Sequence, residues 1–404
     1  MVTLKSFLGM IAAVPFIMAC NQTGQVNATL FPASGSENVN PDTHLVLTFS
    51  ETPVLGDSGM IRVYDAVTDQ VVDSLDLSIP SGPTESRTYG PECDYTKVPY
   101  DYTRTVVPTN KDTRPGTPSG TAEPTPPVYQ LTIIGGFTDA FHFYPVIVRD
   151  SIATIYLHNN MLEYGHTYYV TIDNGVLNLA DGSFQGVTKE DEWTFTTKSD
   201  MPELSDTLIV DATGKGDFNT VQGALDFIPD FNEQQTVILV NPGDYEELVY
   251  TRNKWNVKIK GAGMADTKVH YANNEVFNPH PLTVKTNEWP GTFPSRRAAF
   301  MLDNCKDIVI EDMTIATDLK GQAEGLLING ERIALYRVHI IGSGDALQAN
   351  GTIYMESCEL DGGGDTILGR GSLFAYKSNF RNGGGPFSWV RNTAGNHGNV
   401  FVEC

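Results

Sequence analysis

Cysteine is scarce in this chain. There are five in 404 residues, at positions 20, 93, 305, 358 and 404, with no Cys-x-x-Cys pair and no metal-ligand spacing. That argues against a cysteine-built metal site and fixes no disulfide pairing. Positive charge is also short: 27 Lys and Arg stand against 49 Asp and Glu, a net charge of −22. A nucleic-acid partner, which needs a basic face, is excluded on that ground. An anionic polymer would be repelled at long range, although salt screens that repulsion beyond about 10 Å. The apolar run Phe7 to Ile17 is too short to span a bilayer as a helix.

What is present is enough apolar residue for a folded protein, 40%, with charged residues at 19%. The length predicts two domains. Residues 1–20 read as an export signal: Lys5 is the positive start, Phe7 to Ile17 the apolar stretch, and Ile17-Met18-Ala19-Cys20 resembles a bacterial lipobox. Cys20 is thus the expected lipidation site. The expectation is an exported bacterial lipoprotein at the outer membrane, cell surface or periplasmic face, touching membrane only through that lipid.

Residues 21–28 form a short tether. From 29 to 198 the pattern is all-β, with alternating stretches at His44–Phe49, Thr154–Leu157 and Thr167–Ile172 separated by Gly, Asn, Asp and Pro. It resembles bacterial Ig-like modules that open with Pro-x-x-Gly and close on Trp193-Thr194-Phe195-Thr196-Thr197. A Pro-, Thr- and Tyr-rich insertion at about 80–127 reads as a surface loop, and 199–207 as a linker.

After Leu208 the pattern changes. Val221, Ala224, Leu225 and Ile228 recur at helical spacing and predict one helix around Thr220–Phe227. A repeat follows. The octets Ile308–Ile315, Ile333–Ile340, Ile353–Leu360 and Leu373–Phe380 start 25, 20 and 20 residues apart. Positions 1, 3, 6 and 8 of each are apolar, with Ser378 the polar exception. A flat strand alternates with period two, so the switch of parity between positions 3 and 6 requires a bend. Coils of that length and pattern predict a parallel β-helix. Cys305 and Cys358 fall in its strand patterns and are expected as buried thiols.

Each octet leads into a glycine turn. Asp345 follows Ile340 by five residues and Asp365 follows Leu360 by five, so the two acids hold one position on successive coils. The same register puts Glu324 beside Asp345. Neighbouring parallel strands lie about 4.8 Å apart. Two carboxylates that close separate in pKa, which gives a proton donor and a nucleophile. Asn329, Asn350 and Arg370 align before glycines, and Arg391 and Trp389 follow on the next coil.

The stretch Asp211-Ala212-Thr213-Gly214-Lys215-Gly216-Asp217-Phe218-Asn219-Thr220-Val221-Gln222 resembles the opening of the pectinesterases. So do Pro242-Gly243-Asp244-Tyr245-Glu246-Glu247, Lys260-Gly261-Ala262-Gly263, Gln322-Ala323, Asp345-Ala346 and Gly364-Asp365-Thr366-Ile367-Leu368-Gly369. The resemblance covers nearly all of 208–404. It implies a right-handed parallel β-helix that hydrolyses galacturonate methyl esters of pectin, releasing methanol without metal or cofactor, and acting as a monomer. By resemblance Asp365 is the nucleophile, Asp345 the general acid/base and Gln322 the oxyanion donor. Arg370, Arg391, Trp389 and Gln348 are the expected substrate-binding residues.

The chain departs from the family pattern in three places. Gly344 replaces a second glutamine, leaving Gln348 or a backbone N–H to act in its place. Glu324 replaces an apolar residue. The late Leu-Gly-Arg-Pro-Trp motif is missing, and the expectation is a β-helix incomplete at its C-terminal end. Two other readings stay open on sequence. The stacked acids Glu324, Asp345 and Asp365 could bind Ca²⁺ in a pectate lyase with Arg370 or Arg391 as base. Loss of the glutamine could instead leave a glycan-binding surface protein without catalysis.

Overall fold

The computed structural model describes residues 26–82, 129–137, 141–278, 296–390, 392, 395 and 397–404. The expected lipidation site Cys20, the residue Arg391 and nearly all of the Pro-rich insertion lie outside them.

Among the described residues, two larger sheets and two two-stranded ones make the N-terminal part. One larger sheet joins Thr29–Phe31, Leu45–Thr48, Ile152–Ile155 and Val146–Arg149; the other joins Ser36–Val39, Thr194–Thr197, Thr167–Ile172, Met60–Asp65 and Gln70–Asp76. Pairing is antiparallel except between Ser36–Val39 and Thr194–Thr197. Alternation drives the layering. Ile61 and Val63 on one sheet and Leu45 and Leu47 on the other point into a shared core, and all four are fully buried. Trp193 closes that core, its indole N–H donating to the Pro32 carbonyl at 2.8 Å.

The C-terminal part is a parallel β-helix. Its long sheet runs Thr207–Val210, Thr236–Val240, Trp255–Lys260, Phe300–Thr317, Leu326–Ile341, Leu347–Glu356, Ile367–Gly369 and Ser388–Val390, every pair parallel. The octets stack in the register read from sequence: Ile353 faces Ile333 and Leu373, and Ile340 faces Ile315 and Leu360. The bend has a specific cause. Asp312, Arg337, Ser357 and Lys377 are position 5 of the four octets, and all have φ between 47° and 59°. A left-handed residue there turns the chain and lets positions 3 and 6 both face inward. Ser378, the polar exception, is fully buried because its hydroxyl accepts the Cys358 backbone N–H at 3.1 Å. Cys305 and Cys358 are buried free thiols.

The aligned asparagines form a ladder inside the turn. Arg252 holds Asp303 at 2.6 Å; Asn329 donates to Asp303 at 3.3 Å and Asn350 to Asn329 at 2.9 Å. The Arg370 backbone N–H then donates to Asn350 at 3.0 Å. Asp303, Asn329 and Asn350 are buried, so each rung depends on the next.

The two parts are joined by polar caps and an apolar layer. The helix Val221–Phe227 starts at Thr220, whose hydroxyl accepts the Gly223 N–H. Asp42 of the sandwich accepts both the backbone N–H of Asn219 and that of Thr220, at 2.9 and 2.8 Å. Glu247 accepts from Val221 and Gln222 at 2.8 and 2.9 Å. The last residue of the Pro-Gly-x-Tyr-x-Glu motif is therefore a helix cap. Beside it, Ile134, Phe137 and Phe141 pack onto Tyr250, Met301 and Leu327 on the outer face of the β-helix. Gly135, at φ +62°, passes so close that a Cβ there would lie 1.6 Å from the Tyr250 carbonyl oxygen.

Two predictions follow from these contacts. Asn350→Ala leaves Asn329 and the Arg370 N–H without their partners, and should cost about 2–3 kcal/mol in denaturant unfolding. The second concerns pH. Burial pushes the Glu247 carboxyl up to about 7, with the helix N–H groups offsetting part of that. Between about pH 4.5 and 7 the folded state keeps a proton that the unfolded state has released, so this contribution falls as pH rises. Burial lowers His44 to about 4, which gives a slope of opposite sign over about 4 to 6.5. Glu247→Gln removes the first slope only. The stability of wild type relative to this variant should drop by roughly 2 kcal/mol between pH 5 and pH 7.5, read from unfolding curves at both values.

Candidate active site

The ladder fixes where the acids sit. Leu326 pairs with Leu347, Leu347 with Ile367, and Ile367 with Ser388. The backbone N–H of Gly325 donates to Ala346 and that of Ala346 to Thr366, at 3.0 and 3.2 Å. Glu324, Asp345 and Asp365 are the residues just before these three, so they share one coil position on adjacent rungs. Glu324 is fully buried, Asp345 is 6% exposed and Asp365 is half-buried. The register read from sequence places these acids correctly; the roles assigned to them are a separate matter.

A residue absent from the sequence reading organises the group. Arg297, with its side chain 14% exposed, reaches in from the chain preceding the strand Phe300–Thr317. Its Nε donates to both carboxylate oxygens of Glu324, at 2.8 and 3.0 Å, and Nη2 donates to Oε1 at 2.6 Å. Nη2 also donates to Asp345 Oδ2 at 2.9 Å, and Nη1 donates to Gln322 Oε1. Burial opposes the guanidinium charge, but Glu324, Asp345 and Glu275 outweigh it and hold Arg297 more firmly protonated than in water. Glu324, which looked like an added acid, is thus the buried partner of Arg297. Arg297 carries no periodic signal. It lies 27 and 48 residues from its acidic partners, outside the octets, and only folding brings it in.

The other expected site residues differ in exposure. Gln322 is exposed and Ala323 behind it is buried. Gly344 has no room for the family's glutamine: a Cβ there would lie 2.8 Å from the Gly321 carbonyl oxygen and 3.1 Å from the Gln322 Cα. Gln348 lies on the outer face in a column with Met301, Leu327, Leu368 and Trp389. It is 5% exposed, and its amide oxygen has no hydrogen-bond partner among the described residues. Trp389 is 51% exposed. Arg370 is exposed at the ladder end of its strand.

Among the described residues Glu246, His270 and Asp318 come close enough to hold a metal ion. Arg149 of the sandwich already reaches them, with Nε 3.3 Å from Glu246 and Nη2 3.7 Å from Asp318, so a cation occupies that corner. The guanidinium of Arg297 likewise fills the space between Glu324 and Asp345, where a calcium reading would put the ion.

Acids in register beside an amide on the wall of a parallel β-helix define a carboxylate-based site on a solenoid. Residues 207–382 match the pectinesterase family model. The pectinesterase QRT1 of Arabidopsis thaliana is 31% identical over 170 residues, covering 40% of this chain and 43% of that protein. Pectinesterase 31 of the same plant is 29% identical over 165 residues, covering 40% and 51%. The chain spans about half the length of the curated relatives it matches. Among solved structures, a pectin methylesterase from carrot aligns with a TM-score of 0.38 at 21% identity, covering 45% of this chain and 55% of that one. The pectin methylesterase PemA from Erwinia chrysanthemi aligns at 0.39 and 19%, covering 50% and 67%.

Breaking the buried pair on one side strands a charge. Arg297→Met should lower the unfolding free energy by about 3–5 kcal/mol, measured by denaturant titration.

Proposed function

We propose that the β-helix hydrolyses methyl esters of galacturonate in pectin and releases methanol. The observation that carries this reading is the register of Asp345 and Asp365 on adjacent rungs, beside Gln322, within the stretch that matches the pectinesterase family. The Asp365 carboxylate attacks the ester carbonyl carbon, and Gln322 donates to the oxygen that gains negative charge. Collapse of the tetrahedral species breaks the bond to the methoxy oxygen. Asp345 gives that oxygen its proton, so methanol leaves and an acyl–Asp365 anhydride remains. The Asp345 carboxylate then takes a proton from water, the hydroxide adds to the acyl carbon, and galacturonic acid departs with Asp365 restored.

Gln348 and Trp389, in one outward column, support binding of a sugar ring next to the acids, with Arg370 and Arg391 supplying charge at the rim. The acidic net charge suits a substrate whose carboxyls are esterified better than a free polyanion. We read the sandwich as an Ig-like module and Cys20 as the anchor that holds the enzyme outside the cytoplasm, where a polysaccharide is met.

Methanol release from highly methylated pectin tests the reaction. Asp365→Ala should lower it at least about 10³-fold, as removal of a nucleophile does, while chelator leaves the wild type unchanged. Equal release by wild type and variant would end the esterase reading.

A further inference from the structure

The Arg297–Glu324 pair is not accounted for by stability. Replacing a buried ion pair by two apolar side chains of similar size is commonly neutral or stabilising. Glu324 is fully buried and therefore immobile, and it takes contacts from two nitrogens of the same guanidinium. That fixes the plane and rotation of the Arg297 fork. The remaining donors of the fork, Nη1 and the second N–H of Nη2, then point at Gln322 Oε1 and Asp345 Oδ2.

We infer that Arg297 is a positioning residue for the ester hydrolysis proposed above, with Glu324 as its buried anchor. The inference rests on that reaction. Two consequences for the chemistry come from the atoms contacted. Gln322 is exposed, and its amide would otherwise be free to turn either end toward the substrate. With Oε1 held by Arg297, the Nε2 end is the one presented, and only that end donates to a developing oxyanion. Asp345 accepts from Arg297 through Oδ2, which fixes the rotation of its carboxyl group relative to Gln322. A preset geometry of this kind acts on kcat far more than on binding, because it is needed only where charge and proton move.

The double variant Arg297→Met/Glu324→Leu tests this, because it removes both charges together and keeps the volume apolar. Arg297→Lys is the second variant: it keeps a charge opposite Glu324 but has one donor nitrogen, which cannot hold three groups at fixed angles. Thermal unfolding shows which of them is folded. For each folded variant, kcat for methanol release is expected to fall roughly 10- to 100-fold with KM within about threefold of wild type. A folded variant of either kind with kcat within about threefold of wild type overturns the role, since Arg297 would then merely neutralise Glu324. Wild type and Asp365→Ala are assayed alongside. A wild type without methanol release, or release unaffected by Asp365→Ala, overturns the reaction and this role with it. Activity that depends on Asp365 but not on the Arg297 pair overturns this role alone.

Discussion

The parallel hydrogen-bond ladder is the constraint on which the other features depend. Its pairing register makes Leu326, Leu347, Ile367 and Ser388 equivalent positions, so any residue two places earlier is stacked on its counterpart. Stacking like residues at about 4.8 Å suits apolar side chains and amides. It explains the Ile, Leu and Val columns of the core and the Asp303–Asn329–Asn350 ladder. Stacking acids is the unfavourable case; Glu324, Asp345 and Asp365 stack in this way, and the first two meet a guanidinium.

That guanidinium changes how the acids are read. Three carboxylates at one coil position would repel and take up protons or a cation. With Arg297 in contact with the first two, the repulsion is met within the chain and the group divides in character. Glu324 is sealed and structural, Asp345 is buried and accepts from Arg297 through Oδ2, and Asp365 is half-open to solvent. The division follows depth along the solenoid: the rung nearest the sandwich is the most buried.

Much of the β-helix was legible in the sequence because its signals repeat. The parity switch in each octet predicted a bend, and the bend is a left-handed residue at position 5 every time. The spacing of Asp345 and Asp365 gave their register for the same reason. Arg297, the capping role of Glu247 and the apolar seat of Phe137 and Phe141 gave no such signal. Each is a contact between elements far apart in the chain, made once, with no second copy to reveal a period. The sandwich was legible as alternating strands, but not the fact that Ile134, Phe137 and Phe141 rest on the β-helix. An irregular segment carries no periodicity that names its partner.

That resting place bears on how the site can be approached. The outer column Tyr250, Met301, Leu327, Gln348, Leu368 and Trp389 runs along the wall beside the acids. Its first three members lie in the apolar layer under Ile134, Phe137 and Phe141, where Arg296 stacks over both phenylalanines at 4.7 and 5.2 Å. Gln348 and Leu368 are still buried, at 5% and 4%, and Trp389 is 51% exposed. The sandwich thus covers the wall as far as Leu327, on the rung of Glu324. Arg297 stands beside that covered stretch, bound to Glu324. Packing between the two parts therefore decides how much of the wall is covered as well as the fold, and the junction residues Asp42, Glu247 and Gly135 belong to the same structural problem as the acids.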